Sequence, residues 1–222
     1  MTFALVHGAF HGAWCFELLE KELHQRGEST VSMDLPIDDP DLGASDYAKV
    51  VVDSLANEDD DIILLGHSMG GLVIPLVAAL RPVQQLIYLS GAIRPPGQTT
   101  AVKLAEKPIA STLDERGRLI ADHDSAIEQF YPDVESALAE WAVSMLRPQS
   151  PKPIREVGPE TPWPELPVAA IVGTEDIWQL DQYQQTCRDL LDIEAILIPG
   201  GHSPFFAQPG ELADLLIKIA NS

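Results

Sequence analysis

The stretch Ile62-Ile-Leu-Leu-Gly-His-Ser-Met-Gly-Gly71 decides the reading of this chain. Four apolar residues run into Gly66-His67-Ser68-Met69-Gly70, a G-x-S-x-G pattern, and a helical pattern follows over Met69–Ala79. A strand before the serine and a helix after it is the context that a nucleophile turn requires. Ser68 must sit on a turn tight enough for its hydroxyl to project free of the backbone. The flanking glycines keep side chains out of the crowded positions, and the helix N-terminus favours negative charge developing on a substrate. The backbone N–H of Met69, the residue after the serine, is one expected donor to that charge. Pro75 falls inside the helical pattern and is expected to bend the helix or remove one of its hydrogen bonds.

Working outward, short apolar runs read as strands covered on both faces: Thr2–Val6, Thr30–Met33, Ile62–Leu65, Gln85–Leu89, Val168–Val172 and Ala195–Ile198. Helical stretches lie between or after them: Trp14–Arg26, Ser45–Leu55, Met69–Ala79, Trp178–Leu191 and Glu211–Ala220. Ser45 is the expected N-cap of the second, with Asp46 in its first turn. This alternation predicts an α/β fold, a mostly parallel sheet of about six strands with helices on both faces. The stretch from Ala92 to Leu166 breaks the rhythm. It is rich in proline (Pro95, Pro96, Pro108, Pro132, Pro148, Pro151, Pro153, Pro159, Pro162, Pro164) and carries helical patches at Ser125–Phe130 and Val134–Leu146, but no buried strand. Residues 92–166 are therefore expected to form a cap inserted between the fourth and fifth strands, over a core of residues 1–91 and 167–222.

The chain has 222 residues, 45% hydrophobic and 22% charged, which is a globular composition and excludes disorder and fibrous repeats. Fourteen Lys and Arg against 34 Asp and Glu give a net charge of −20. Such a surface repels phosphate backbones and anionic lipids, so neither nucleic acid nor membrane is an expected partner. Cys15 and Cys187 lie far apart in no CxxC pattern and read as reduced, buried thiols. No basic leader and no run approaching about 20 apolar residues is present, so a cytoplasmic protein is expected. Oligomeric state stays open, a homodimer included. No HExxH or CxxC spacing, no G-x-G-x-x-G and no P-loop occurs, so no metal and no cofactor is expected.

A serine needs a base. The histidines are His7, His11, His24, His67, His123 and His202. His202, in Pro199-Gly-Gly-His-Ser-Pro-Phe-Phe206, falls between the last strand and the last helix, at the sheet edge that carries Ser68. His7 and His67 flank glycine turns and read as structural hydrogen-bonders. His24 reads as an exposed helix residue, and His123 falls in the cap. The histidine needs an acid to hold its tautomer. Gly173-Thr-Glu-Asp176 follows the fifth strand; Asp176 is the choice and Glu175 the alternative. The end of the fourth strand, Ser90-Gly-Ala-Ile-Arg94, carries no carboxylate. The turn His7-Gly-Ala-Phe-His-Gly-Ala-Trp14 after the first strand is the expected source of a second oxyanion donor, the N–H of Ala9, with Gly8 allowing close approach. Trp14, Trp141, Trp163 and Trp178, with Phe205 and Phe206, read as core residues that can also line an apolar pocket; Trp14, beside the oxyanion turn, and Phe205, close after the base, are the candidates for the substrate pocket.

With these motifs in view, the chain resembles the α/β-hydrolase superfamily, and within it the branch of plant methyl esterases and hydroxynitrile lyases. The resemblance rests on Val6–Trp14, Gly66–Gly71, Gly173–Asp176 and Gly201–Phe206, and on the chain order Ser68, Asp176, His202. It implies Ser68 as nucleophile, His202 as base, Asp176 as orienting acid, Ala9 and Met69 as oxyanion donors, and a core without the first two strands of the full fold. The hydroxynitrile lyases resembled carry a lysine after the catalytic histidine and a threonine after the histidine of the first turn. Ser203 and Gly8 stand there in this chain, which argues against lyase chemistry. The superfamily's glycine-histidine turn after the second strand is also absent, Ile37 and Asp38 following Asp34-Leu-Pro36. The expectation is a cofactor-independent serine esterase acting on a small hydrophobic or aromatic ester. A lyase or C–C-cleaving hydrolase on the same triad, and a non-catalytic ligand-binding protein, are the alternatives.

Overall fold

The computed structural model describes residues 1–100, 109–160, 162, 163 and 165–222. Pro108 and Pro164, and residues 101–108 of the expected cap, lie outside the described residues.

Six parallel strands form one sheet: β1 (Thr2–Val6), β2 (Ser29–Ser32), β3 (Ile62–His67), β4 (Gln85–Leu89), β7 (Val168–Gly173) and β8 (Ile196–Ile198). Their order is β2-β1-β3-β4-β7-β8. The central strands β1, β3 and β4 are buried along their whole length, which is why they read as unbroken apolar runs. The expectation of full burial fails at β2 and β8, whose residues are exposed or half-buried. Both lie at sheet edges, where half the covering is missing.

Helix α1 (Glu17–Gln25) carries the chain from β1 to β2. The return crosses over to β3 through α2 (Ala44–Ser54), and α3 (Ile74–Ala78) leads on to β4. The direction of travel reverses between β2 and β3, so right-handed crossovers put α1 on one face and α2 and α3 on the other. The packing agrees: α1 lies against the last helix (Pro209–Ala220), while α2 lies against α3. The loops that follow β1 and β3 thus leave the sheet at the point where strand order reverses, and open a crevice there.

Two local expectations are corrected. Helix α2 is capped at Gly43, not Ser45. Asp46 accepts the Gly43 N–H at 3.2 Å and Glu156 accepts the Ala44 N–H at 2.8 Å, so carboxylates from the first turn and from a distant segment satisfy the helix end. Pro75 does not interrupt a helix. Residues Ser68–Leu72 form a 3-10 turn and α3 starts at Ile74, with Pro75 in its first turn, where its missing N–H costs nothing.

Between β4 and β7 lie an exposed antiparallel hairpin, β5 (Ser111–Leu113) and β6 (Leu119–Ala121), and the helices α4 (His123–Phe130), α5 (Ser136–Ser144) and α6 (Lys152–Arg155). This segment is tied to the loops at the carboxyl edge of the sheet. The Gly201 N–H donates to Asp133 at 2.9 Å, and the Ser150 N–H to the Ile37 carbonyl at 2.6 Å. No helix among the described residues is long and apolar enough to cross a membrane.

Candidate active site

Ser68 stands at the end of β3 with φ 49°, in the left-handed region that a non-glycine residue adopts only under constraint. The constraint comes from crowding on both sides. A side chain at Gly70 would run into the Val6 carbonyl, and one at Gly66 would lie 2.8 Å from the Gly70 carbonyl oxygen. The turn after β1 presses in from the other direction: a Cβ on Gly8 would sit 2.9 Å from Cβ of Ser68. Ser68, Ala9 and Met69 line one cavity of about 380 Å3 at this edge of the sheet.

His202 is fully buried after β8. Its Nδ1 lies 2.9 Å from Oδ1 of Asp176, so the residues expected as base and acid are hydrogen-bonded. Asp176, not Glu175, is the partner; the Glu175 side chain is exposed. Since the carboxylate takes the proton on Nδ1, Nε2 is the basic nitrogen, and it is buried with no partner among the described residues. The Nε2–H of His67 donates to the His202 carbonyl at 3.0 Å, which links the serine turn to the histidine loop. Phe130, at the end of α4, stacks on the His202 ring at 5.8 Å and lines the cavity.

Asp176 is held by Ser90 and Trp178, whose contact with it no motif announces. The Ser90 hydroxyl donates to its Oδ2 at 2.5 Å, and the Trp178 backbone N–H to its Oδ1 at 3.1 Å. The indole N–H of Trp178 closes the circuit on the Ser90 carbonyl at 2.6 Å. Ser90 itself has φ 48°. The Ser90–Arg94 stretch lacks a carboxylate, but its Ser90 hydroxyl is the signal in the sequence for a group that can hold one. Ser90→Ala is expected to lower kcat about tenfold with KM unchanged, the usual size of an effect from a group that orients a functional side chain. Steady-state kinetics at saturating ester check this, and an unchanged kcat would remove Ser90 from that role.

Trp14 and Phe205, expected in the pocket, are not among the residues that line the cavity. Trp14 stacks on His11 at 5.6 Å and meets Trp141 edge-on at 5.4 Å, while Phe205 is fully buried between Phe16 and His67. Both belong to an aromatic cluster behind the first turn. Trp178, Phe130, Phe10 and Ile177 take the places facing the cavity, and no charged side chain is among its described lining residues.

The other histidines sort by burial. His7 and His11 are fully buried, and loss of hydration pushes their pKa values down to about 4 and about 3; His67 is lowered well below the usual value for the same reason. His24 touches Thr30 at the surface, and the exposed His123 sits between Asp124 and Glu140, which raise its pKa. Cys15 and Cys187 are free and buried. No group of three or more His, Cys, Asp or Glu side chains that could hold a metal occurs among the described residues.

Comparison with known proteins matches residues 3–215 to the alpha/beta hydrolase family model. A pyrethroid hydrolase of Sphingobium wenxiniae is 28% identical over 98% of this chain and 87% of its own length. Methylesterase 7 of Arabidopsis thaliana is 36% identical over a local match that spans 36% of this chain and 35% of the relative. Among solved structures, a methylesterase from Arabidopsis superposes with a TM-score of 0.82 at 20% identity, covering 100% of this chain and 99% of that one. The sheet order, the strained serine turn and the buried His202–Asp176 pair thus coincide with a family match along nearly the whole chain: the protein belongs to the alpha/beta hydrolase family.

Proposed function

We propose that the protein is a serine carboxylesterase that cleaves a neutral, hydrophobic ester through an acyl-enzyme. The observation that carries this reading is a serine held at φ 49° on the wall of an apolar cavity, with a buried His202–Asp176 pair whose Nε2 is unengaged lying behind Phe130 and Trp178 of the same wall. The names of the relatives, a pyrethroid hydrolase and methylesterases, support the same class.

In this mechanism Ser68 Oγ attacks the ester carbonyl carbon as its proton passes to Nε2 of His202. The carbonyl π pair moves onto oxygen, which the N–H groups of Ala9 and Met69 receive. Asp176 stabilises the imidazolium through Nδ1. As the tetrahedral adduct collapses, the alkoxide leaves with the proton from Nε2, and the acyl group stays on Ser68. Water then gives its proton to Nε2, attacks the acyl carbon, and returns the serine. All groups needed are side chains and backbone of the chain itself, so no cofactor enters. Ser203, buried beside His202 where the lyases of this branch hold a lysine, gives no positive charge to stabilise a departing cyanide. Thr100, Ile109, Ser111, Leu119, Phe130 and Ile154, among the described residues between β4 and β7, line the cavity, which supports the reading of this segment as a cap.

The cavity holds about 380 Å3, enough for a drug-sized acyl or alcohol group, and offers charged substrates no partner among its described lining residues. Uncharged p-nitrophenyl esters, acetate through octanoate, are therefore expected to be turned over, with kcat/KM rising with chain length until the cavity fills. A fluorophosphonate is expected to leave a single adduct on Ser68, read by peptide mass spectrometry. A chain inert to the series and unlabelled at Ser68 would overturn the esterase reading.

A further inference from the structure

His7 and His11 flank Ala9 and take no part in the mechanism above, yet both are fully buried and fully hydrogen-bonded. A carbonyl can only accept, so the bond from His7 Nδ1 to the Gly8 carbonyl (2.8 Å) and from His11 Nδ1 to the Ala9 carbonyl (2.7 Å) place a proton on each Nδ1. Each Nε2 is then an acceptor. The Leu35 N–H donates to Nε2 of His7 at 3.0 Å, and the Tyr131 hydroxyl to Nε2 of His11 at 2.8 Å. The two rings hold successive peptide planes. His7 fixes the carbonyl of the unit whose other end is the Ala9 N–H. His11 fixes the carbonyl of the next unit, whose N–H, that of Phe10, donates to Oε1 of Gln149 at 3.2 Å. Phe10 has φ 65°, and its own carbonyl accepts the Arg147 N–H at 2.7 Å.

Three of these ties, from Tyr131, Arg147 and Gln149, come from the segment between β4 and β7, more than a hundred residues along the chain from the turn. A left-handed Phe10 has no local reason to persist; the distant segment over-determines it. We propose that Tyr131 and Gln149, acting through His11 and Phe10, are positioning residues that aim the Ala9 N–H at the oxyanion, so that the docked segment completes the donor set. This rests on the reading of Ala9 as an oxyanion donor. The consequence is specific: loosening the segment costs transition-state stabilisation even where substrate still binds.

The test uses Tyr131→Phe, which deletes one oxygen, and Gln149→Met, which keeps the bulk and loses the acceptor. Each is expected to lower kcat about tenfold with KM within about twofold, and the pair together to approach the hundredfold or greater loss typical of a missing oxyanion donor. Inhibition by a trifluoromethyl ketone, whose adduct on Ser68 bears the same oxyanion, is expected to weaken by the same factor as kcat. A purely structural role would lower the melting temperature without that parallel. Wild-type kcat and ketone affinity in Tyr131→Phe, or a rise in KM alone, overturn the inference while Ser68 labelling leaves the esterase reading standing. A wild-type protein that neither hydrolyses esters nor takes label at Ser68 overturns both.

Discussion

Ser68→Ala is expected to lose about 10^4- to 10^6-fold in kcat toward any ester that the wild type hydrolyses, the range seen when a triad nucleophile is removed. Alanine is a mild change for the fold. The serine already occupies a left-handed φ, and the crowding that holds it there comes from the glycines and from the Val6 carbonyl, not from its hydroxyl. The loss would therefore be chemical. Without Oγ there is no acyl-enzyme, and the Nε2 of His202 has nothing to deprotonate but water. In the proposed mechanism Ser68 and His202 act as one unit, so His202→Ala is expected to cost about as much, and the double variant no more than either alone. Burst and steady-state kinetics on a p-nitrophenyl ester, with circular dichroism to show that the variants are folded, check this. Retention of activity within about tenfold in Ser68→Ala would mean that the reaction runs through another group.

Acid is expected to destabilise the fold strongly before most of its carboxylates titrate. His7, His11 and His67 are neutral in the fold, with pKa values pushed below 6.5 chiefly by burial. The groups around them do not reverse this. Arg147 opposes protonation of His7 and Asp34 favours it, while His7 and His202 both oppose protonation of His11. The sign follows from the reference state. Above pH 6.5 folded and unfolded chains are both neutral at these positions, and nothing is gained or lost. Below it the unfolded chain binds protons that the fold refuses, so stability falls as pH drops. His7 and His11 alone give a slope near pH 5 of about 3 kcal/mol per pH unit and a loss between pH 7 and pH 5 of about 4 kcal/mol, and His67 adds in the same direction. That is a large part of the 5–15 kcal/mol, roughly, that a domain has in hand. Protonation of carboxylates relieves the net charge of −20, but mostly nearer pH 4. Urea unfolding at pH 7, 6 and 5 measures the slope, and His11→Asn should remove about a third of it. Stability constant to within about 1 kcal/mol over that range would show that the rings are charged or exposed.

What the sequence discloses here is what is local. Strand, glycine, serine, glycine and helix lie within about a dozen consecutive residues, and the steric needs of the turn are written in their types. The strand runs at β1, β3 and β4 are legible because burial on both faces leaves no polar position. Asp176 could be chosen because it follows a strand at the same edge as His202. The groups that hold these residues in place are not local. Ser90 reaches Asp176 across 86 residues, and Tyr131 reaches His11 across 120. Neither contact leaves a periodicity or a motif. The aromatic residues mislead for a related reason: Trp14 is adjacent to the turn in sequence but packs on His11 outside the cavity lining, whereas Trp178 joins that lining from the loop after β7, two strands away from β3.

The strand order also sets a timetable for synthesis. The four strands β2, β1, β3 and β4 are neighbours in the sheet and all lie within the first 89 residues, whereas β7 and β8 add to one edge from residue 168 onward. A chain emerging from the ribosome can pair its first four strands, and set the serine turn between them, while Asp176 and His202 are still untranslated. On that schedule the proposed nucleophile is in place before the proposed base exists. In the proposed mechanism hydrolytic competence arrives only when β7 and β8 dock, so the first turnover reports that these late strands have joined the sheet.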